Sequence, residues 1–166
     1  KKSIAYNLLK SEDVMSAINC VKKLGSKVKF SKNKCEIIGN GLHYKNNKKV
    51  VLNAGNSGTL ARLILGLLIN SKKKIKLVGD KSLSKRDFSR VIKPLRLFGV
   101  NIKSKNNLLP IEILGTNFLR PINYNENIGS AQVKSCIILS SLNTPGNTII
   151  NSKSSRNHTE LMLKFL

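Results

Sequence analysis

Asp13-Val14-Met15-Ser16-Ala17-Ile18, running on to Leu24-Gly25-Ser26-Lys27-Val28, is matched without a gap by Asp87-Phe88-Ser89-Arg90-Val91-Ile92, running on to Phe98-Gly99-Val100-Asn101-Ile102. The shift from Asp13 to Asp87 is 74 residues, and a fixed period of this kind marks a repeated supersecondary unit. Both copies lead into similar text: Ser31-Lys32-Asn33 to Ile37-Ile38-Gly39 in one, Ser104-Lys105-Asn106 to Ile113-Leu114-Gly115 in the other. A third copy opens at Arg156-Asn157-His158, shifted by 70 from Arg86-Asp87-Phe88, and runs to Leu166 within its helix. The rest of the unit recurs as well. Ser57-Gly58-Thr59 opens an apolar helix leading to the strand Ile75-Lys76-Leu77-Val78, and Ser130-Ala131-Gln132, shifted by 73, opens another leading to Thr148-Ile149-Ile150.

Each unit therefore reads strand, helix, strand, helix, strand, strand, with Gly25 and Gly99 closing the second helix as C-terminal caps do. The expected class is α/β (α+β), built from βαβαββ units. The chain holds the back half of one unit (about 1–52), a complete unit (53–125) and the front half of a third (126–166), together one partial domain. Ends that fall in mid-unit predict incompletely buried termini. The stretches Thr59 to Ile69 and Gln132 to Leu142 are apolar nearly all round, which places these helices inside with sheets outside, an inside-out α/β barrel arrangement. Asp87 to Phe98 is more amphipathic, and Pro94 within it predicts a kink. Because the units repeat, equivalent helices point the same way and their amino termini gather at one end, where free N–H groups and the positive pole of the dipole favour anions.

Composition sets the outer bounds. A chain of 166 residues, 40% of them hydrophobic, is long enough to bury a core. Its apolar runs fall short of the roughly 20 residues that a membrane-spanning helix needs. Lys1-Lys2-Ser3-Ile4 has no apolar signal core, so a cytoplasmic protein without membrane partners is expected. Cys20, Cys35 and Cys136 are odd in number, widely spaced and set among apolar residues, which predicts reduced core thiols; with His43 and His158 far apart, no metal site is expected. The net charge of +22 invites a reading as a basic nucleic-acid-binding module. Against it, twenty-four of the thirty basic residues are lysines scattered along the chain, asparagine numbers twenty, and only 5% of residues are aromatic. A single-strand binder interleaves aromatics for base stacking. No nucleic-acid partner is expected, although a positive field draws small phosphorylated anions.

Four motifs at the helix starts carry more specific information: Ser11-Glu12-Asp13-Val14; Asn53-Ala54-Gly55-Asn56-Ser57-Gly58-Thr59-Leu60-Ala61-Arg62; Gly79-Asp80-Lys81-Ser82-Leu83-Ser84-Lys85-Arg86; and Ser130-Ala131-Gln132-Val133-Lys134-Ser135, followed by Ser155-Arg156-Asn157-His158-Thr159-Glu160. Taken singly, they read as serine-capped helices after turns and as surface arginines. In this order and spacing the chain resembles the 5-enolpyruvylshikimate-3-phosphate synthase family, over essentially its whole length. The related family that acts on a UDP-sugar shares the fold and chemistry but not these motifs.

The resemblance implies that phosphoenolpyruvate meets Gly58, Arg86 and Gln132, and that shikimate 3-phosphate meets Ser130, Ala131, Gln132, Ser155 and Arg156. It implies supporting roles for Thr59, Arg62 and Lys134, and a packing or ligand-lining role for His158. Leu63 stands where some members have proline, and Asp87 replaces a common proline, placing a carboxylate where it can cap a helix. Lys2-Ser3 imitates a Lys-Ser motif of the family but has Asn7 where an arginine belongs, and it reads as an ordinary strand pair. The implied reaction transfers the enolpyruvyl group of phosphoenolpyruvate to the 5-hydroxyl of shikimate 3-phosphate without a cofactor. It requires a proton donor and a base that none of the eight acidic residues here supplies, so the missing second domain of the same protein is an implied partner and no catalytic residue is assigned in this chain.

Overall fold

In chain order the elements are β1 (Lys2–Tyr6), α1 (Glu12–Lys23), β2 (Lys27–Ser31), β3 (Lys34–Ile38), β4 (Val50–Asn53), α2 (Gly58–Leu67), β5 (Ile75–Val78), a 3-10 turn (Leu83–Lys85), α3 (Ser89–Leu97), β6 (Asn101–Lys103), β7 (Ile111–Leu114), β8 (Asn123–Glu126), α4 (Ala131–Ser141), β9 (Ile149–Ser152) and α5 (His158–Phe165). This computed structural model describes residues 1–41 and 49–166; His43 lies outside the described residues. From β4 to β7 the order is βαβαββ, as the repeat predicts. Unit boundaries at 53 and 126 fall on the last residues of β4 and β8.

Sheet topology repeats with the sequence. The middle unit forms the order β4-β5-β7-β6, with β4 parallel to β5 and both pairs to β7 antiparallel. The sheet β1-β3-β2 reproduces the last three strands of that pattern, antiparallel throughout, and the parallel pair β8-β9 reproduces the first two. The described residues carry three separate sheets and close no barrel.

Serine starts three of the helices. Ser11, Ser57 and Ser130 have extended backbones, and each hydroxyl accepts from the amide three residues on, satisfying one of the N–H groups a helix start leaves free. At α3 the work passes to Asp87, whose carboxylate accepts from the Ser89 amide at 2.9 Å and from the Ser89 hydroxyl; the latter contact, with the former, holds Asp87 below the ordinary carboxylate range. Gly25 and Gly99, at φ of 97° and 99°, take the left-handed conformation that ends α1 and α3. α3 runs unbroken through a buried Pro94.

α2 and α4 lie side by side in the core. Ala61, Ile64 and Leu65 of α2 and Val133, Cys136 and Ile137 of α4 are buried, together with Leu68 and Ile69 just beyond α2 and Leu52, Ile75 and Leu77 from the sheet behind them. Each such leucine, isoleucine or valine side chain contributes about 1.5–3 kcal/mol by leaving water. The approach depends on Gly66: a Cβ there would stand 2.4 Å from the Cys136 carbonyl oxygen. α5, by contrast, buries none of its residues, and Leu161, Met162 and Phe165 are exposed. Among the described residues no helix is long and apolar enough to cross a membrane.

All three cysteines are buried free thiols. Burial pushes Cys136 up to about 12, so in native protein at pH 8 iodoacetamide should spare this thiol, and after denaturation it should label all three; rapid native labelling of Cys136 would contradict the packing. Gly66→Ala should lower the unfolding free energy by about 1–2 kcal/mol in urea denaturation, because overpacking against Cys136 outweighs the ~1 kcal/mol that alanine offers a helix. A gain in stability would mean that the two helices do not meet there.

Candidate functional site

Placing α2 and α4 in contact sets their first turns side by side. The side-chain amide of Gln132 donates to Thr59 Oγ1 at 2.8 Å, joining residues 73 apart that occupy the same place in successive units. α5 begins beside them, with the Ser135 and Thr159 hydroxyls 2.7 Å apart and Lys134 Nζ 2.6 Å from Glu160 Oε1. Burial of the Glu160 carboxyl works against ionisation most strongly of any single influence, but the Lys134 hydrogen bond, a backbone hydrogen bond and the nearby positive charge together hold the group below its ordinary range.

Where the three helix starts meet is a pocket of about 180 Å³, lined by Thr59, Leu63, Ala131, Gln132, Arg156 and His158 among others. Larger hollows of about 420 and 410 Å³ flank α1, one towards Asn53 and Gly55 and one beneath the β1–α1 loop, but neither gathers helix starts. The smaller pocket joins three helix N-termini to a guanidinium, a combination suited to a phosphate or carboxylate.

The other expected residues fall close by. Ser130 caps α4, and its loop nears the segment after β9 at Gly129, where a Cβ would stand 3.0 Å from the Ser154 carbonyl oxygen. Ser155 Oγ is buried without a hydrogen-bond partner among the described residues. Gly58 and Arg86 form a second cluster one residue from Thr59. A Cβ on Gly58 would lie 3.1 Å from Arg86 Nη1 and 2.8 Å from Arg62 Nη1, so the absence of a side chain makes room for both cations. Gly58 and Arg86 adjoin the pocket rather than line it.

Polar contacts keep that second cluster in place. Arg86 Nη2 reaches Asn56 Oδ1 at 3.5 Å, and Asn56 donates to Asp80 Oδ2 at 2.6 Å. The bond from Asn56, then that from the Leu83 amide, keeps Asp80 below the usual carboxylate range. Arg62 donates to the carbonyls of Gly58 and Asp87 and lies over the Phe88 ring, 4.9 Å from its centroid. Its guanidinium is shifted down, first by burial and then by Arg86 and Arg90 nearby. Lys2 and Ser3 sit in β1, where Lys2 pairs with Glu36 at 3.0 Å.

Sequence reasoning missed Glu126. It ends β8 with its side chain 3% exposed, accepts from the amides of Ile128, Gly129 and Ser130, and pairs with Arg90 of α3 at 3.5 Å. The available signal was the repeat itself: the matching residue, Asn53, ends β4 and accepts from the Gly55 amide at 2.9 Å.

Comparison with known proteins agrees with this arrangement. The profile described as EPSP synthase (3-phosphoshikimate 1-carboxyvinyltransferase) matches residues 1–166. The 3-phosphoshikimate 1-carboxyvinyltransferase of Streptococcus pyogenes serotype M2 (strain MGAS10270) is 41% identical over 160 residues, which are 95% of this chain and 37% of the relative. That of Caldicellulosiruptor saccharolyticus is 42% identical over 162 residues, with the same coverage. An EPSP synthase structure from Acinetobacter baumannii superposes with a TM-score of 0.90 at 35% identity, covering 98% of this chain and 38% of that one. The chain thus spans little more than a third of the length of the curated relatives it matches. With the family profile covering every residue and a repeat whose helix starts meet at one pocket, the chain belongs to the EPSP synthase (3-phosphoshikimate 1-carboxyvinyltransferase) family.

Proposed function

We propose that the protein to which this chain belongs transfers the enolpyruvyl group of phosphoenolpyruvate to the 5-hydroxyl of shikimate 3-phosphate, and that this chain supplies much of the phosphate-binding surface. The observation that carries the reading is the meeting of the α2, α4 and α5 starts with Arg156 at one pocket, beside the Gly58 and Arg86 cluster. Two phosphates and a carboxylate must be held together for this reaction, and these groups are the kind that hold them.

Ser130, Ala131, Gln132, Ser155 and Arg156 are assigned to shikimate 3-phosphate. The buried, unpartnered hydroxyl of Ser155 supports this, since a buried polar group without a partner is costly and a phosphate oxygen would satisfy it. Gly58, Arg86 and Gln132 are assigned to phosphoenolpyruvate. Gln132, tied to Thr59, then stands between the two ligands. In the reaction the methylene carbon of phosphoenolpyruvate gains a proton while the 5-hydroxyl oxygen gives up its own and bonds to C2; the tetrahedral intermediate then loses a proton from the new methyl group as the C2–O bond to phosphate breaks, restoring the double bond. The residues named here bind and orient; the acid and base are assigned to the remainder of a longer protein, which closes on this surface, acts in the cytoplasm and requires no cofactor. The dispersed lysines serve as a solvated positive surface rather than a nucleic-acid footprint.

Titrating 15N-labelled chain with shikimate 3-phosphate should shift the resonances of Ser130, Gln132 and Arg156, and phosphoenolpyruvate should then shift Gly58 and Arg86, with turnover undetectable. Shifts scattered over the lysines, with a steep loss on adding salt, would contradict the site; robust turnover by the chain alone would contradict the division of labour.

A further inference from the structure

A carboxylate at the approach to an anion site is out of place by charge alone, yet Glu126 sits there, buried. Its Oε2 accepts from the amides of Gly129 at 2.6 Å and Ser130 at 2.8 Å, and its Oε1 accepts from the Ile128 amide at 3.4 Å, with Arg90 Nη2 3.5 Å from the same oxygen. Three successive amides turned on one anion form a nest of the type that binds phosphate. Here the nest is filled by the chain's own side chain. The Val133 amide is also engaged, by Ser130 Oγ at 3.4 Å. In the first turn of α4 the amides of Ala131 and Gln132 have no hydrogen bond among the described residues, and both residues line the pocket. The middle unit shows the neutral form of the same device: Asn53, at the end of β4, accepts from the Gly55 amide.

We infer that Glu126 is a positioning residue: its carboxylate fills the nest of residues 128–130 and fixes the start of α4, so that a phosphate docks one step further on, at the Ala131 and Gln132 amides. This rests on the reading of the α4 start as the shikimate 3-phosphate site. Arg90, on α3, supplies the counter-charge that lets a carboxylate and a phosphate lie near one another. It also ties the loop to α3, which follows Arg86, so the two ligand clusters share a support.

Two NMR measurements on the labelled chain test the inference. Through-hydrogen-bond couplings should join the Gly129 and Ser130 nitrogens to Glu126 Cδ and persist when shikimate 3-phosphate is added, while couplings to phosphorus appear at Ala131 and Gln132. Phosphorus couplings at Gly129 or Ser130, with loss of those to Glu126, would overturn it, and this reading needs no variant to fold. Glu126→Asp keeps the charge but falls one methylene short. It should bind shikimate 3-phosphate roughly tenfold more weakly, because the bonds that preorganise the loop are lost. Unchanged affinity in that variant would sink the positioning role and leave the proposed function standing, whereas failure of the ligand to reach α4 in the unaltered chain would sink both.

Discussion

The contact of α2 with α4 at Gly66 and Cys136 governs the rest of the structure. Two helices can run this close only where one lacks a side chain, and closeness here forces their first turns into register. Register in turn places Thr59 against Gln132, and with them two helix starts that a repeat alone would leave merely parallel. Each start has unpaired amides and a partial positive charge, so bringing them together concentrates the attraction for anions. Apolar burial around Leu65, Leu68 and Ile137 supplies the free energy, and the electrostatics of the pocket follow from where that burial leaves the helix ends.

Charge is then distributed in layers. Arg86 and Arg62 crowd around Gly58, and burial with their mutual repulsion shows in the lowered Arg62. Asp80 and Asp87 stand behind these cations and are held ionised by hydrogen bonds from Asn56 and Ser89. Glu126 lies beneath the start of α4, paired with Arg90. The cations thus gather at the helix starts while the acids secure the loops beside them. The remaining positive charge is spread over exposed lysines and attracts without selecting.

Much of this was legible in the sequence because repetition is a strong signal. The match of Asp13–Val28 with residues 87–102 predicts the strand and helix order, and serines followed by apolar runs predict the starts of α2 and α4. Gly25 and Gly99 announce helix ends because few other residues accept their backbone angles. Interactions between units were not legible. The bond from Gln132 to Thr59 depends on how helices pack, and sequence spacing says nothing of packing distance. Glu126 was passed over because its donors are backbone amides, which leave no residue signature. Only its equivalence with Asn53 points to it. The composition was the least informative feature, since +22 describes surface lysines and not the site.

A crystal structure of the chain with shikimate 3-phosphate bound tests most directly whether neighbouring helix starts form one anion site. The phosphate should lie within hydrogen-bond reach of the Ala131 and Gln132 amides, with Arg156 and the Ser155 hydroxyl closing around it. Density for the phosphate on the lysine-rich outer surface, with the pocket between α2, α4 and α5 left to water, would contradict it.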